Sequence, residues 1–389
     1  MNEKEKVYFP NLNGMRFFAA FVVIVSHLEQ SLFLLGYKYK PIPIIITAEL
    51  GVLLFFVLSG FLITYLLLSE ENKTGSISIK QFYIRRILRI WPLYYTLILL
   101  AFFVLPNIGL FNMPILNENK TPFSLLLYFF FLPNLVLAYD IIIPYISHSW
   151  SVGVEEQFYL IWPVLMKLFK KKLVILISVI VVYIGIKIGL RYIYFSWESN
   201  KTIYLINYFW DSFKISAMAI GGIFAYLLHK KNHPIHILLI KYIKSIPLMI
   251  ISLVVVFVIV FFNLNIPVIK MEINAFLFGI IIFNMSTNEK LDKFLENRIL
   301  NYLGKISYGL YMYHVIAIVF CIKIFNYLGI LHIESFAGMI FLLVITTLVA
   351  VLFAGISYHF MESKFIQMKI LFSNILSGDN AKNKNDTFQ

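Results

Sequence analysis

Three stretches of this chain, Leu173–Ile186, Leu248–Phe262 and Ser335–Ala354, contain no Asp, Glu, Lys or Arg. Such runs are at home only in a large protein core or in hydrocarbon, and a hydrocarbon core of about 30 Å takes roughly 20 apolar residues per helix. Composition chooses between the two. Of 389 residues, 60% are apolar and 14% charged, against roughly 45–50% and about 25% in a soluble domain. A water-soluble enzyme is excluded, and so is a large domain outside the membrane.

The sequence predicts an all-α, polytopic integral membrane protein with about ten transmembrane helices. The candidate spans are 17–36, 47–68, 90–106, 150–166, 173–190, 205–228, 246–262, 271–286, 306–328 and 336–358. An eleventh apolar segment, 121–138, does not fit as a crossing. It would put Lys167, Lys170, Lys171 and Lys172 on the opposite side from Lys80, Arg85, Arg86 and Arg89. We therefore read it as re-entrant or interfacial. With that choice, 24 of the 33 Lys and Arg residues fall in 1–16, 69–89, 167–172, 229–245, 287–305 and 359–389. The positive-inside rule makes these segments, and both termini, cytoplasmic. The expected organisation is a cytoplasmic N-terminus at 1–16, a membrane domain at 17–366 and a disordered cytoplasmic tail at 367–389.

The net charge of +13 does not point to nucleic acid, because the cations sit in short loops between apolar spans. Anchoring and anionic-lipid contact account for them. Phe, Tyr and Trp gather at span ends, as an interfacial belt requires. The one cysteine, Cys321, rules out an intrachain disulfide and leaves no basis for a Cys-based metal site. Phe17–Gly36 is too long for a signal-peptide core and carries His27. We see no internal repeat of the transporter kind.

Ionisable groups inside apolar spans cost several kcal/mol unless paired. His27 is equally explained as a structural hydrogen-bonder or as a base for a hydroxyl. Arg16, eleven positions earlier, is either an anchor or part of a site. Arg85, Arg86 and Arg89 share one helical sector through their i,i+3 and i,i+4 spacing. They form either an ordinary basic cluster or a phosphate-binding fork. Glu155 and Glu156, adjacent near the start of an apolar helix, call for a water-lined cavity or a cationic partner. Ser307, Tyr311 and His314 lie along one helical face, with Tyr358 and Glu362 closing the last span.

These residues resemble the signatures of the acyltransferase 3 family of integral membrane acyltransferases. Leu12-Asn-Gly-Met-Arg16 with His27 matches its opening Arg/His pattern. Gly51–Phe61, then Arg85-Arg86 with Arg89, Pro92 and Tyr94, match the second and third signatures. His148-Ser-Trp150 leads into Trp150-Ser-Val-Gly-Val-Glu-Glu-Gln-Phe-Tyr159, which matches the next. Gly304–Tyr308 through His314, and Tyr358 through Glu362, match the C-terminal ones. Asn13, Leu53, Gly153 and the pair Ser363-Lys364 depart from the family's usual residues. The resemblance is to the stand-alone form, without the C-terminal hydrolase-like domain of some relatives.

The resemblance implies an O-acyltransferase of a bacterial cell membrane, moving acetyl from acetyl-CoA or another acyl-CoA to a hydroxyl of a polysaccharide, lipopolysaccharide or related glycan. It implies no permanently bound cofactor and no metal. Partners would be acyl-CoA, a glycan or lipid-linked glycan, membrane lipids and glycan-assembly proteins. His27, Arg16, Glu155 and Glu156 are the catalytic candidates, and Arg85, Arg86 and Arg89 the donor-binding ones. Tyr94, His148, Trp150, Ser307, His314 and Glu362 are candidate supports. Two rivals stay open: acylation of a small secondary metabolite, and a transporter or flippase of lipid-linked sugars, whose path would also be lined with ionisable groups.

Overall fold

The computed structural model describes residues 5–42, 47–113, 116, 118–196, 200–230 and 234–378. A short strand β1 (Glu5–Val7) precedes α1 (Leu12–Leu34), α2 (Ala48–Thr74) and α3 (Ile79–Leu99). Two short helices follow, α4 (Pro122–Phe129) and α5 (Pro133–Ala138), then α6 (Trp150–Leu168), α7 (Lys172–Ser196), α8 (Lys201–Ser212) and α9 (Ile215–His229). The second half contains α10 (Pro234–Ile243), α11 (Ile246–Phe261), α12 (Lys270–Thr287), α13 (Arg298–Lys305), α14 (Ser307–Tyr327) and α15 (Phe336–Ser357). A π-helical turn at Tyr358–Glu362 leads into α16 (Ser363–Lys369), and β2 (Ile375–Ser377) is the last described element. Side-chain oxygens of Thr121, Ser245, Asn297 and Ser335 accept from backbone N–H groups at their helix starts. Gly75 ends α2 at φ 76°, a left-handed residue that glycine adopts without a Cβ penalty.

The expectation of about ten crossings is corrected. Among the described residues, seven helices are long and apolar enough to cross, or eight if the bent pair His236–Ile243 and Ile246–Phe261 is one span. The expected spans at 150–166 and 271–286 form the helices α6 and α12 but are not in that set. The reason is composition: Glu155, Glu156 and Gln157 on α6 and Lys270, Glu272, Asn274 and Asn284 on α12 make these helices too polar for that set. Glu156, Glu272, Asn274 and Asn284 are buried against neighbouring helices. The segment 121–138 makes helices of 8 and 6 residues, each too short to cross at about 1.5 Å per residue.

The six basic segments meet at one end of the bundle. Lys172 is 2.8 Å from Glu71, and Arg85 is 2.9 Å from Glu70. Arg85 donates to the Phe372 carbonyl, and Asn374 to Glu70 and Gln81. Asn11 donates its backbone N–H to Glu296, and Lys244 faces Glu289 at 3.9 Å. β1 and β2 pair in parallel, so the first and last described segments lie together at this basic end. Residues 370–378, expected in a disordered tail, instead form a 3-10 turn and β2; the rest of that tail, 379–389, is outside the described residues.

α2 is the central post, two-thirds buried along its apolar window. It crosses α9 at glycines: a Cβ on Gly60 would stand 1.9 Å from the Met218 carbonyl oxygen, and one on Gly221 2.1 Å from that of Val57. Small residues let membrane helices touch backbone to backbone. On α7, Gly185 faces open space. Gly60→Ala is expected to destabilise by about 1–3 kcal/mol, the usual cost of overpacking. Gly185→Ala is expected to be neutral. Thermal melting of the detergent-purified protein, followed by size-exclusion chromatography, separates the two.

Candidate functional site

α1, α6 and α14 bring together three histidines distant in sequence. His27 lies about 22 Å along α1 from Leu12. Its Nδ1 is 2.7 Å from Nε2 of His314, and the rings stack with centroids 4.9 Å apart at 11°. His148, just before α6, packs edge-on against His314 at 4.6 Å and lies 6.2 Å from His27. Both His148 ring nitrogens are buried and outside hydrogen-bonding geometry. Among the described residues no set of His, Cys, Asp and Glu side chains converges to hold a metal ion.

The hydrogen bonds assign the tautomers. His314 Nδ1 is 2.5 Å from the Tyr311 carbonyl. A carbonyl only accepts, so this nitrogen carries the hydrogen, and the Nε2 of neutral His314 is an acceptor. His27 Nδ1 must then donate to it. The remaining His27 nitrogen, Nε2, is left with a lone pair on a half-buried ring. Such a nitrogen can take a proton from a hydroxyl. Tyr311 braces the arrangement a second time: its hydroxyl donates to the His148 carbonyl at 2.6 Å and sits 2.7 Å from Ser151 Oγ.

A cavity of about 340 Å³ runs between this cluster and the basic end. Val52, Phe55, Phe56, Ser151, Val152 and Tyr311 line its deep part, and Phe55 meets Tyr311 edge-to-face at 6.0 Å. Arg16, Arg86, Arg89, Lys305 and Lys369 also line it, with Glu155 as the single acidic lining residue among the described residues. Eleven residues of α1 separate Arg16 from His27, about 16 Å. Arg16 therefore cannot act on an atom that His27 touches. Its Nη1 donates to Asn13 Oδ1 at 3.3 Å, so asparagine fills the place of the family's usual aspartate as an acceptor.

The sequence candidates divide cleanly. Arg16, Arg86, Arg89, Glu155 and Ser307 line the cavity. His27, His148 and His314 form the cluster beyond its deep wall. Arg85 is not among the lining residues: it is held by Glu70, 2% exposed, and by the Phe372 carbonyl. Glu156 also sits outside, accepting from Trp91 Nε1 at 3.2 Å. Glu155 accepts from Tyr159, whose hydroxyl pairs with Ser59 at 2.7 Å while Arg86 stacks on its ring. Tyr94 donates to the Tyr128 carbonyl and so holds α4. Trp150 packs on Phe56, and Glu362 accepts from Ser357. Sequence reasoning left out Ser59, Tyr159 and Tyr311 as site residues. The i,i+4 step from Glu155 to Tyr159 and the i,i+3 step from Tyr311 to His314 were the available signals. Nothing in the sequence marked Lys305 or Lys369.

Residues 9–355 match a family model described as an acyltransferase domain. The chain is 27% identical over 391 residues to a putative O-acetyltransferase of Staphylococcus aureus strain COL, covering 93% of this chain and 58% of that protein. It is 28% identical over 381 residues to the O-acetyltransferase OatA of Staphylococcus aureus strain NCTC 8325, covering 92% and 57%. With the peptidoglycan O-acetyltransferase OatA of Listeria monocytogenes it shares 34% identity over 171 residues, covering 42% and 25%. The chain thus spans somewhat over half the length of the relatives it matches along most of its own. No solved structure matches.

Removing the Tyr311 hydroxyl leaves the His148 carbonyl and Ser151 without their shared partner. Tyr311→Phe is expected to cost about 1 kcal/mol of stability. A fall in melting temperature of a few degrees checks it.

Proposed function

Given that the chain belongs to the acyltransferase 3 family, we propose that it is an O-acyltransferase carrying acetyl from acetyl-CoA to a hydroxyl of a cell-surface glycan. The observation that carries this is the cavity, cationic toward the basic end and apolar and aromatic toward the histidines. The positive-inside rule puts the basic end in the cytoplasm, where acyl-CoA is made. Phosphates would lie among Arg16, Arg86 and Arg89, whose guanidiniums pair with them bidentately. The pantetheine arm would follow the apolar walls and bring the thioester toward Tyr311 and Ser151. The separation of Arg16 from His27 is of the order of that arm's length.

In direct transfer, the acceptor hydroxyl gives its proton to His27 Nε2 as its oxygen forms a bond to the thioester carbonyl carbon. The carbon–sulfur bond then breaks, and the thiolate takes up the proton. The charge His27 acquires is shared through its Nδ1–H bond to His314, which the Tyr311 carbonyl anchors. Glu155 and Glu156 hold Tyr159, Arg86 and Trp91 in place behind the donor. Arg85 belongs to the scaffold in this reading, and only Arg86 and Arg89 of the three touch the donor. The acceptor would approach from the end opposite the basic one. The relatives' names, O-acetyltransferase and peptidoglycan O-acetyltransferase, support a glycan acceptor.

Membranes containing the protein are expected to transfer label from acetyl-CoA to glycan, and His27→Ala to lower the rate by at least about 100-fold, the usual worth of a general base. Unchanged transfer in the variant removes His27 from the mechanism. His314→Ala takes away the acceptor that sets the His27 tautomer and is expected to lower kcat by about 100-fold with KM for acetyl-CoA unchanged. Arg85→Ala leaves the buried Glu70 without its cation, with Asn374 still donating to it, and is expected to cost about 3 kcal/mol of stability. Arg89→Ala is expected instead to weaken acetyl-CoA binding about tenfold at unchanged melting temperature. Calorimetry and donor titration on both variants check the contrast.

A further inference from the structure

The mouth of the cavity at the basic end is built from β1 and β2, the first and last described elements. β1 and β2 pair Glu5 with Ile375, Lys6 with Leu376 and Val7 with Ser377. Val7, Tyr8, Ser377 and Gly378 line the cavity itself. Each end is moored to a different part of the bundle. Tyr8 and Asn11 bond to Glu296 on one side, and Asn374 and the Phe372 carbonyl bond to Gln81 and Arg85 on the other. Strands of three residues apiece are marginal alone. Ile375 of β2 is buried, so the weaker side of the pair is β1.

Beneath this pairing, Lys305 and Lys369 line the same cavity as Arg16, Arg86 and Arg89, and Lys369 stands in the field of all the arginines there. Arginines and lysines that line one cavity suit an anion with several acceptor oxygens, and phosphate is the anion that satisfies several at once. The π-helical turn at Tyr358–Glu362 continues α15 into α16, which carries Lys369 to the cavity. Lys369, β1 and β2 all lie outside the residues matched to the family, 9–355.

We propose that Lys369, with Lys305, completes the binding ring for the phosphorylated end of the donor, and that the β1–β2 pair is a clasp that must part for the donor to enter or leave. This rests on the donor reading given above. The clasp explains how a site made of like charges can stay shielded from solvent while its ligand exchanges. It also couples the two ends of the chain to occupancy.

The test joins the strands covalently. Lys6→Cys with Leu376→Cys, at paired positions, is purified in zwitterionic lipid nanodiscs, and binding of labelled acetyl-CoA is followed by stopped flow, oxidised and then reduced. The clasp predicts that oxidation slows both uptake and release at least about tenfold and that reductant restores both. Equal rates in the two states overturn it. Lys369→Ala is expected to raise KM for acetyl-CoA about tenfold at unchanged kcat, and Lys369→Arg to keep most of the affinity. Lys364→Ala, an exposed neighbour on α16, is expected to change neither. If Lys369→Ala leaves KM unchanged, Lys369 is not part of the ring. Repeating the titration with phosphatidylglycerol in the nanodiscs separates nucleotide phosphate from lipid phosphate. An effect of Lys369→Ala on lipid binding alone overturns the proposal. Protein that is reduced, folded and yet binds no acetyl-CoA overturns the donor reading and this inference together.

Discussion

Charge is expensive in hydrocarbon, and the arrangement of this protein follows from where its charges are compensated. An ionisable side chain in the middle of an apolar span is stable only against another polar group or water. His27 meets His314, which meets a backbone carbonyl. Glu156 meets Trp91, and Glu155 meets Tyr159. Lys187 and Lys214 meet Asp211 and Glu49. The pairings His27–His314, Trp91–Glu156, Lys187–Asp211 and Lys214–Glu49 join different elements, so groups that lipid would reject help to lock the bundle. The two helices that fall outside the set apolar enough to cross, α6 and α12, carry several of these groups and have buried faces for that reason.

The same cost shapes the site. The cationic half of the cavity lies at the basic end, beside the β1–β2 pair. Its other end is apolar and aromatic, ending at the Phe55–Tyr311 wall. A donor with a phosphorylated head and an apolar arm is matched to both halves. The histidines stand beyond the wall, with one nitrogen left unprotonated by a chain of hydrogen bonds that begins at a backbone carbonyl. Catalytic readiness and helix packing are here one network. Tyr311 supplies the carbonyl for one histidine and the hydroxyl for the backbone of another.

Much of this was legible in the sequence because membrane constraints are local. Uncharged runs mark helices, basic loops mark one end, and a histidine or carboxylate inside a span marks a site. The gathering of all six basic segments agrees with the charge pattern, and 121–138 is too broken to cross. The number of crossings is lower than expected because α6 and α12 carry carboxylates and amides that leave them less apolar than the other spans. Arg85 and Arg89 look equivalent at i,i+4 spacing. Only Glu70, fifteen residues from Arg85, and the distant Phe372 carbonyl separate them.

By itself the sequence determined the membrane class, the helical elements, the basic end and the residues whose chemistry demands a partner. Each of these depends on one residue type within a span or loop. Only the tertiary structure decided which partners those residues take: His27 with His314 across 287 positions, Lys369 beside Arg86 and Arg89, and strand with strand between the two ends of the chain. Those pairings depend on how helices cross. The crossings are set by contacts such as Gly60 on Met218, which no local pattern encodes.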